Sequence, residues 1–214
     1  RLHHIYTYMS YLYDCLSRYG DSYALSLGLD TTKLLKNLEV YQDDWVQYNP
    51  RKNIPREGLS VTSLDGGLSG VPDLDSIREY NIKNNTSLDE TSFTTKTEVW
   101  DLVKSALEPF KDNLGRTHII RMPRTGCFPT HRDDYVRENK SFRLFLPIDK
   151  CNPPDTYFIL NKNILNFMQG HVYFLDTCKE HVVFTCGETS MFLVANIILN
   201  EDSVDAVLRN MLVR

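Results

Sequence analysis

Hydrophobic residues in the second half of the chain are grouped in short runs that are rich in aromatic and β-branched side chains. Gly, Pro, Asn and Asp separate these runs, so each run predicts a strand, and the close spacing predicts an antiparallel sandwich or barrel. The predicted strands are 118–122, 127–131, 142–148, 156–160, 171–175, 181–185 and 191–199.

The first half of the chain shows helical periodicity instead. Residues 1–19 predict an amphipathic helix that stops at Gly20, and a second apolar patch follows at 34–38. The strongest helix signal is 95–110, where Thr95 and Glu98 have the spacing of a capping box. Its predicted buried face is formed by Val99, Leu102, Val103, Ala106 and Phe110.

Between these helices, residues 48–76 are interrupted by several Gly and Pro residues. The alternation of Leu59 and Val61 predicts one short strand inside this segment. The remainder is interpreted either as a surface excursion or as a flap over a site.

Together these patterns predict an α+β fold in a single domain over residues 1–214. We expect a helical and loop part at 1–114, an all-β core at 115–200 and a C-terminal helix at 201–214.

Composition narrows the function classes. The net charge is only -4 and no basic block is present, which disfavours nucleic-acid and anionic-membrane partners. No apolar stretch has the roughly 18 residues needed to span a bilayer. The five cysteines are odd in number and form no CxxC pair, so we expect a reducing, cytoplasmic compartment rather than a disulfide framework.

One short motif carries potential chemistry. His131 and Asp133 are two residues apart, so in an extended segment their side chains project to the same face and can share one metal ion. His181, which begins a later predicted strand, is the candidate third ligand. A 2-His-1-carboxylate set with open positions is typical of non-haem Fe(II) oxygenases. Alone, the triplet also fits a polar strand end with an ion pair to Arg132 or Arg137.

The order PTHRD, FRLFLPID and GHVYFLDTCKEHVVFT, followed by a final apolar strand, resembles the Fe(II)/2-oxoglutarate-dependent oxygenases. The similarity covers about residues 115–200 and is greatest to the aspartyl/asparaginyl β-hydroxylase-like branch and related phage and bacterial members. It implies a double-stranded β-helix (jelly-roll or cupin-like) core with N-terminal helices packed on it. It also implies Fe(II) held by His131, Asp133 and His181, with 2-oxoglutarate and O₂ as small-molecule co-substrates.

The same resemblance implies hydroxylation of an amino-acid side chain, free or in a protein, with release of succinate and CO₂. The vertebrate aspartyl hydroxylases lack the carboxylate ligand, whereas this chain has Asp133. Their substrate therefore does not transfer to this chain. No general base is expected, because the chemistry belongs to the metal and co-substrate.

The family anchors the distal carboxylate of 2-oxoglutarate with a basic side chain. The position expected on the final strand is Met191, and 191–199 contains no Arg or Lys. Arg143, which shares inward parity with Phe145, is the first candidate anchor, and Arg121 is the second. Asn196 is expected either to orient a ligand or water, or to pair with backbone at a strand bulge.

Two other functions remain open. One is a non-catalytic cupin-like module that binds a metal or ligand in the same barrel. The other is a zinc hydrolase, in which Asp134 or Asp176 would serve as the base.

Overall fold

Two antiparallel sheets enclose an aromatic core in the computed structural model of the chain, which describes residues 11–133 and 140–212. The strands are β1 (Ser22–Gly28), β2 (Val46–Gln47), β3 (Glu57–Ser60), β4 (Thr62–Ser63), β5 (Thr95–Lys96), β6 (Leu114–Met122), β7 (Cys127–His131), β8 (Ser141–Asp149), β9 (Thr156–Leu160), β10 (Asn163–Leu165), β11 (His171–Leu175), β12 (His181–Thr185) and β13 (Ser190–Ile198). The helices are α1 (helical over 11–17), α2 (Thr31–Leu38), α3 (Ile77–Asn84), α4 (Trp100–Leu107) and α5 (Glu201–Asn210).

The strand order identifies the architecture. The larger sheet runs β1-β11-β8-β13-β6-β3-β2 and the smaller sheet runs β10-β9-β12-β7. From β6 to β13 the chain therefore crosses repeatedly between the two sheets, which is the winding of a double-stranded β-helix. The predicted α+β class and jelly-roll core are confirmed.

Strand prediction was most accurate in this core. The bounds of β7, β9, β11 and β12 are those predicted, while β6, β8 and β13 differ only at their ends. The pattern missed β1 and β10. β1 pairs with β11 at the edge of the larger sheet, and β10 is a three-residue partner of β9.

Alternating side chains of the larger sheet divide the hydrophobic core in two. On β8, Leu144 and Leu146 pack outward with residues of the helices, including Val103 of α4. Phe145 points the other way, into the aromatic cluster between the sheets with Phe158 of β9. The helices thus cover the outer face of the sheet, as predicted, and the interior of the barrel is left for the site.

The predicted capping box of the 95–110 helix is wrong. Thr95 belongs to β5, which pairs with β4, so it is committed to a sheet rather than to a helix end. The helix α4 begins at Trp100. Just before it, the N–H of Val99 donates a hydrogen bond to the hydroxyl oxygen of Thr97 at 3.2 Å. The predicted buried positions Val99, Val103, Ala106 and Phe110 are confirmed, whereas Leu102 is only partly buried.

The Gly/Pro-rich segment 48–76 is neither a simple excursion nor only a flap. Its strand β3 pairs with β6 and so extends the larger sheet. Arg56, Leu59 and Ser60 are buried.

The predicted N-terminal helix begins in residues 1–10, which lie outside the described part, but 11–17 are helical. Within the described residues, none of the helices combines the length and the apolar character required to span a bilayer.

Candidate metal centre

His131, Asp133 and His181 converge at one end of the barrel. His131 is the last residue of β7 and His181 the first of β12, and the two are direct cross-strand partners. Their ring centroids are 4.2 Å apart. The Oδ1 atom of Asp133 lies 3.7 Å from Nε2 of His131. One ligand atom from each of the three residues lies within 4.8 Å of the others, so a single ion can contact all three.

Both imidazoles are oriented by a backbone carbonyl two residues earlier in the chain. Nδ1 of His131 is 2.6 Å from the carbonyl oxygen of Pro129, and Nδ1 of His181 is 2.9 Å from that of Lys179. A carbonyl only accepts, so each Nδ1 carries the proton and donates it. Nε2 of each ring is therefore left with its lone pair for a metal ion, the usual arrangement of metal-ligating histidines.

Asp133 is fixed from two sides. Its backbone N–H donates to the carbonyl of Thr177 at 3.0 Å, although it lies beyond the end of β7. Its side chain is buried, and Oδ2 lies 2.9 Å from Nε of Arg143 on β8. With Arg143 beside Oδ2, the carboxylate presents Oδ1 toward His131.

The turn between β11 and β12 supplies both of the carbonyls that orient Asp133 and His181. It is tied to α1 by Tyr13, whose hydroxyl donates to Oδ1 of Asp176 at 2.9 Å. Burial raises the pKa of Asp176, partly offset by that bond. Asp176 is thus committed to Tyr13 rather than offered to the metal centre as a base, and Asp134, the other candidate base, lies outside the described residues.

The triad borders a pocket that is largely apolar. Besides His131 and His181, its polar lining consists of Arg143 and Thr177. The remaining walls are Phe128, Leu144, Phe145, Phe158, Leu175, Val183, Phe192 and Val194. The ring of His181 lies nearly parallel to that of Phe158, with centroids 6.2 Å apart. Burial lowers the pKa of His181, which favours the neutral form that a metal requires.

The three residues proposed to bind the co-substrate are placed very differently. Arg143 lines the pocket and pairs with Asp133. Arg121 does not reach the pocket: it pairs with Glu57 at 2.5 Å, and its guanidinium lies 4.5 Å from the ring centre of Trp45, which packs with the outer core. Arg121 lies between Ile120 and Met122, whose side chains face inward. Successive side chains of a strand point to opposite faces, so the side chain of Arg121 faces outward.

Asn196 is buried on the inner side, directly opposite Arg143 across the β13–β8 pair. Its Nδ2 donates to the carbonyl of Arg116 at 2.8 Å, and the β13–β6 register shifts between Ala195 and Ile197. The expected backbone bond at a strand bulge is therefore present. Its Oδ1 is buried and has no partner among the residues described.

Sequence reasoning gave no role to His118 or Arg56, whose polar side chains face inward. His118 is buried on β6, opposite Val194, and its Nδ1 has no partner among the residues described. Burial holds the pKa of His118 well below its usual value. Arg56, just before β3, is buried against Tyr48 and Phe128. The inward orientation of His118 could have been predicted, because it lies two residues before the apolar Ile120 on the same strand. The position of Arg56 could not, because it depends on the pairing of β3 with β6, for which the sequence has no clear signal.

The donor set fits a divalent transition metal. Two imidazole nitrogens whose tautomers are fixed and one carboxylate oxygen form a facial set suited to Fe(II), and the same set accepts zinc. The apolar walls beside it would limit the access of water.

No protein-family model and no curated protein matches the sequence. Among solved structures, the chain is similar to a prolyl-4-hydroxylase from Pseudomonas putida, with 11% identity over 90% of this chain and 99% of that one, at a TM-score of 0.49. A predicted oxalate decarboxylase from Thermotoga maritima has 16% identity over 44% of this chain and 74% of the other, at a TM-score of 0.32. An RmlC-like cupin from Desulfovibrio desulfuricans has 12% identity over 40% of this chain and 72% of the other, at 0.30. The fold assignment rests on the strand order of the chain itself.

Proposed function

We propose that this chain is an Fe(II)- and 2-oxoglutarate-dependent oxygenase. The observation that carries the proposal is the triad at the barrel end, in which both histidine Nε2 atoms are left free by carbonyl bonds at Nδ1. The overall reaction converts 2-oxoglutarate, O₂ and a substrate C–H group into succinate, CO₂ and a hydroxylated product. Fe(II), when bound, would supply the activation of O₂ that couples these conversions.

The residues of the chain would hold and shield the reacting groups. His131, His181 and Oδ1 of Asp133 would occupy one face of the ion and leave the opposite positions for co-substrate and O₂. Arg143 would keep Asp133 in place through Oδ2. The ring of Phe158 beside His181 and the side chains of Phe145 and Phe192 would exclude water from the co-substrate pocket. No side chain is assigned as a general base.

The primary substrate we propose is an amino-acid side chain, free or in a protein. This class follows from the sequence resemblance to the aspartyl/asparaginyl β-hydroxylase-like branch. The origin proposed on the same ground is a phage or a bacterium.

A second candidate function is a metal- or ligand-binding cupin-like module without turnover. The observation that favours it is the apolar lining of the pocket, because β13, the strand expected to carry a basic anchor, contributes Phe192 and Val194 to that lining. Both functions need the triad, so turnover distinguishes them.

The test is uncoupled conversion of 2-oxoglutarate to succinate in the presence of Fe(II), ascorbate and O₂. Succinate should form with the unmodified protein and should vanish in His131→Ala. His171→Ala is the matched control, because His171 begins β11 and is not one of the three clustered ligands. Absence of succinate, together with no stabilisation of the metal-loaded protein by 2-oxoglutarate, would refute the oxygenase proposal. Stabilisation by the metal alone would then favour the binding module.

A further inference from the structure

Among the residues that the structure describes, Arg143 is the one cation that lines the pocket beside the triad. Arg143 is paired with Asp133, a proposed metal ligand. Arg121 is on the other face of the sheet with Glu57. The strand β13 contains no Arg or Lys.

Arg56 is a buried cation that takes part in neither of these ion pairs. Its relative exposure is only 2%, and its buried Nε has no partner in the described part of the chain. One Nη donates to the carbonyl of Cys127 at 2.8 Å. In the described ranges 11–133 and 140–212, the titratable residues beside it are Tyr48 and Cys127, and neither is a carboxylate. A guanidinium stays charged in proteins, and buried charges are normally paired.

The register turns Arg56 toward the barrel interior. Gly58 of β3 pairs with Ile120 of β6, which in turn pairs with Phe192 of β13. Ile120 and Phe192 both belong to the cluster between the sheets. Arg56 precedes Gly58 by two residues and so projects to the same side.

Phe128 connects this cation to the metal pocket. The guanidinium carbon of Arg56 lies 4.2 Å from the centre of the Phe128 ring, and Phe128 itself lines the pocket. Phe128 pairs with Val183 on β12, and His131 pairs with His181. Phe128 is therefore the next inward-facing residue of β7 going from the triad into the barrel. Three residues of strand span about 10 Å at most, which bounds the separation along β7 between His131 and Phe128, the residue that contacts Arg56.

We infer that Arg56 binds the distal carboxylate of the 2-oxo acid held at the triad, which makes the pocket selective for a dicarboxylate. The inference rests on the proposed function. The Phe128 ring lies between the guanidinium and the pocket, so a rotation of that ring would give the guanidinium access. Its planar fork matches a carboxylate through two hydrogen bonds. The cation is thus supplied by the residue just before β3, outside the eight strands β6 to β13, and takes the place of a basic residue on the apolar β13.

The test compares two ligands that differ only at the distal end. 2-Oxoglutarate and 2-oxopentanoate share the 2-oxo acid group, but the second has a methyl group in place of the distal carboxylate. Binding of each to the Fe(II)-loaded protein is measured by calorimetry without O₂. The unmodified protein should bind 2-oxoglutarate about 10- to 100-fold more tightly, the range for hydrogen bonds to charged groups. In Arg56→Met this ratio should fall to near one, with 2-oxopentanoate binding unchanged.

Arg121→Met is the matched control, because Arg121 lies on the same sheet but faces away from the pocket. It should keep the full ratio. If Arg56→Met does not fold, Arg56→Lys replaces it. Because a lysine point charge lacks the planar fork, the ratio should drop several-fold. An unchanged ratio in the folded Arg56 variant overturns the inference, whereas failure of the unmodified protein to bind either 2-oxo acid overturns the proposed function itself.

Discussion

Nε of Arg143 lies 2.9 Å from Oδ2 of Asp133, so a cation on β8 holds the carboxylate of the candidate metal centre. Both side chains are at least partly buried, and Asp133 has 7% relative exposure. The pair explains why an arginine points into an otherwise apolar barrel. It also gives Arg143 a contact that the sequence-based expectation did not include, since Arg143 was expected to hold the co-substrate and not Asp133.

Replacing Arg143 with Met should lower Fe(II) affinity by about 10- to 100-fold, the usual cost of losing a group that orients a metal ligand. The cause is that Oδ2 of Asp133 would be buried without its partner. Fe(II) binding is measured by titration without O₂. Arg209→Met is the matched control, since Arg209 also pairs with a carboxylate through Nε, at 2.6 Å, but on the exposed face of α5. Unchanged metal affinity combined with a raised KM for 2-oxoglutarate would instead return Arg143 to the co-substrate.

Removal of either histidine ligand should abolish metal binding in the micromolar range. For His181→Ala we expect a loss of roughly 100-fold or more in Co(II) affinity, because one of three protein ligands is lost. The measurement is the visible absorption of bound Co(II) during titration. His171→Ala should bind Co(II) like the unmodified protein, and equal binding by His181→Ala would exclude the triad as the metal site.

Tyr13→Phe should destabilise the protein by about 1–3 kcal/mol, because the buried carboxyl of Asp176 loses its hydrogen-bond donor. The free energy of unfolding is measured with urea. Because the turn that contains Asp176 also orients Asp133 and His181, metal affinity should fall as well. Tyr11→Phe is the control, since Tyr11 is 60% exposed. Equal effects of the two substitutions would contradict the anchoring role of Tyr13.

His118 should make the protein lose stability in mild acid. Its folded-state pKa is held well below the usual value of 6.5 by burial. Above pH 6.5 the ring is neutral in both the folded and the unfolded state, so it adds no pH dependence. Below pH 6.5 the unfolded chain takes up a proton that the folded protein excludes, and stability falls by up to about 1.4 kcal/mol per pH unit.

The check is urea unfolding at pH 7.5 and pH 5.5 in the presence of a chelator. His118→Gln should lose less stability between these two values than the unmodified protein does. The same loss in both proteins would show that His118 is protonated in the folded state.

The sequence placed His131 and Asp133 side by side and identified most core strands, because both depend on local pattern; that His181 joins them was expected from the family resemblance. His131 and Asp133 are two residues apart, and aromatic and β-branched runs bounded by turn residues define β7, β9, β11 and β12 almost without ambiguity. The capping box at Thr95 failed because pairing with β4 outweighed a local helix signal. Local preference yields to a tertiary partner in such cases.

The arginines show what local pattern leaves undetermined. Parity along one strand correctly turned Arg143 inward, but its partner Asp133 depends on where the chain after β7 meets the turn after β11. Arg121 has the same parity on β6 as Ile119, which packs in the outer core. Arg56 precedes a strand whose pairing with β6 joins residues about 60 positions apart, a relationship that short-range periodicity does not contain.

Each candidate histidine ligand is oriented by the carbonyl two residues before it, and this bears on how such a metal centre could be designed into another protein. Pro129 orients His131 and Lys179 orients His181 within a single tripeptide each, so the choice of tautomer needs nothing from the rest of the barrel. Two such tripeptides placed opposite each other on any antiparallel pair of strands would present two nitrogen lone pairs at the same spacing. The pair of Asp133 and Arg143 depends on three separate parts of the chain: the residues after β7, the strand β8 and the turn after β11. A designed site would have to provide this pair separately.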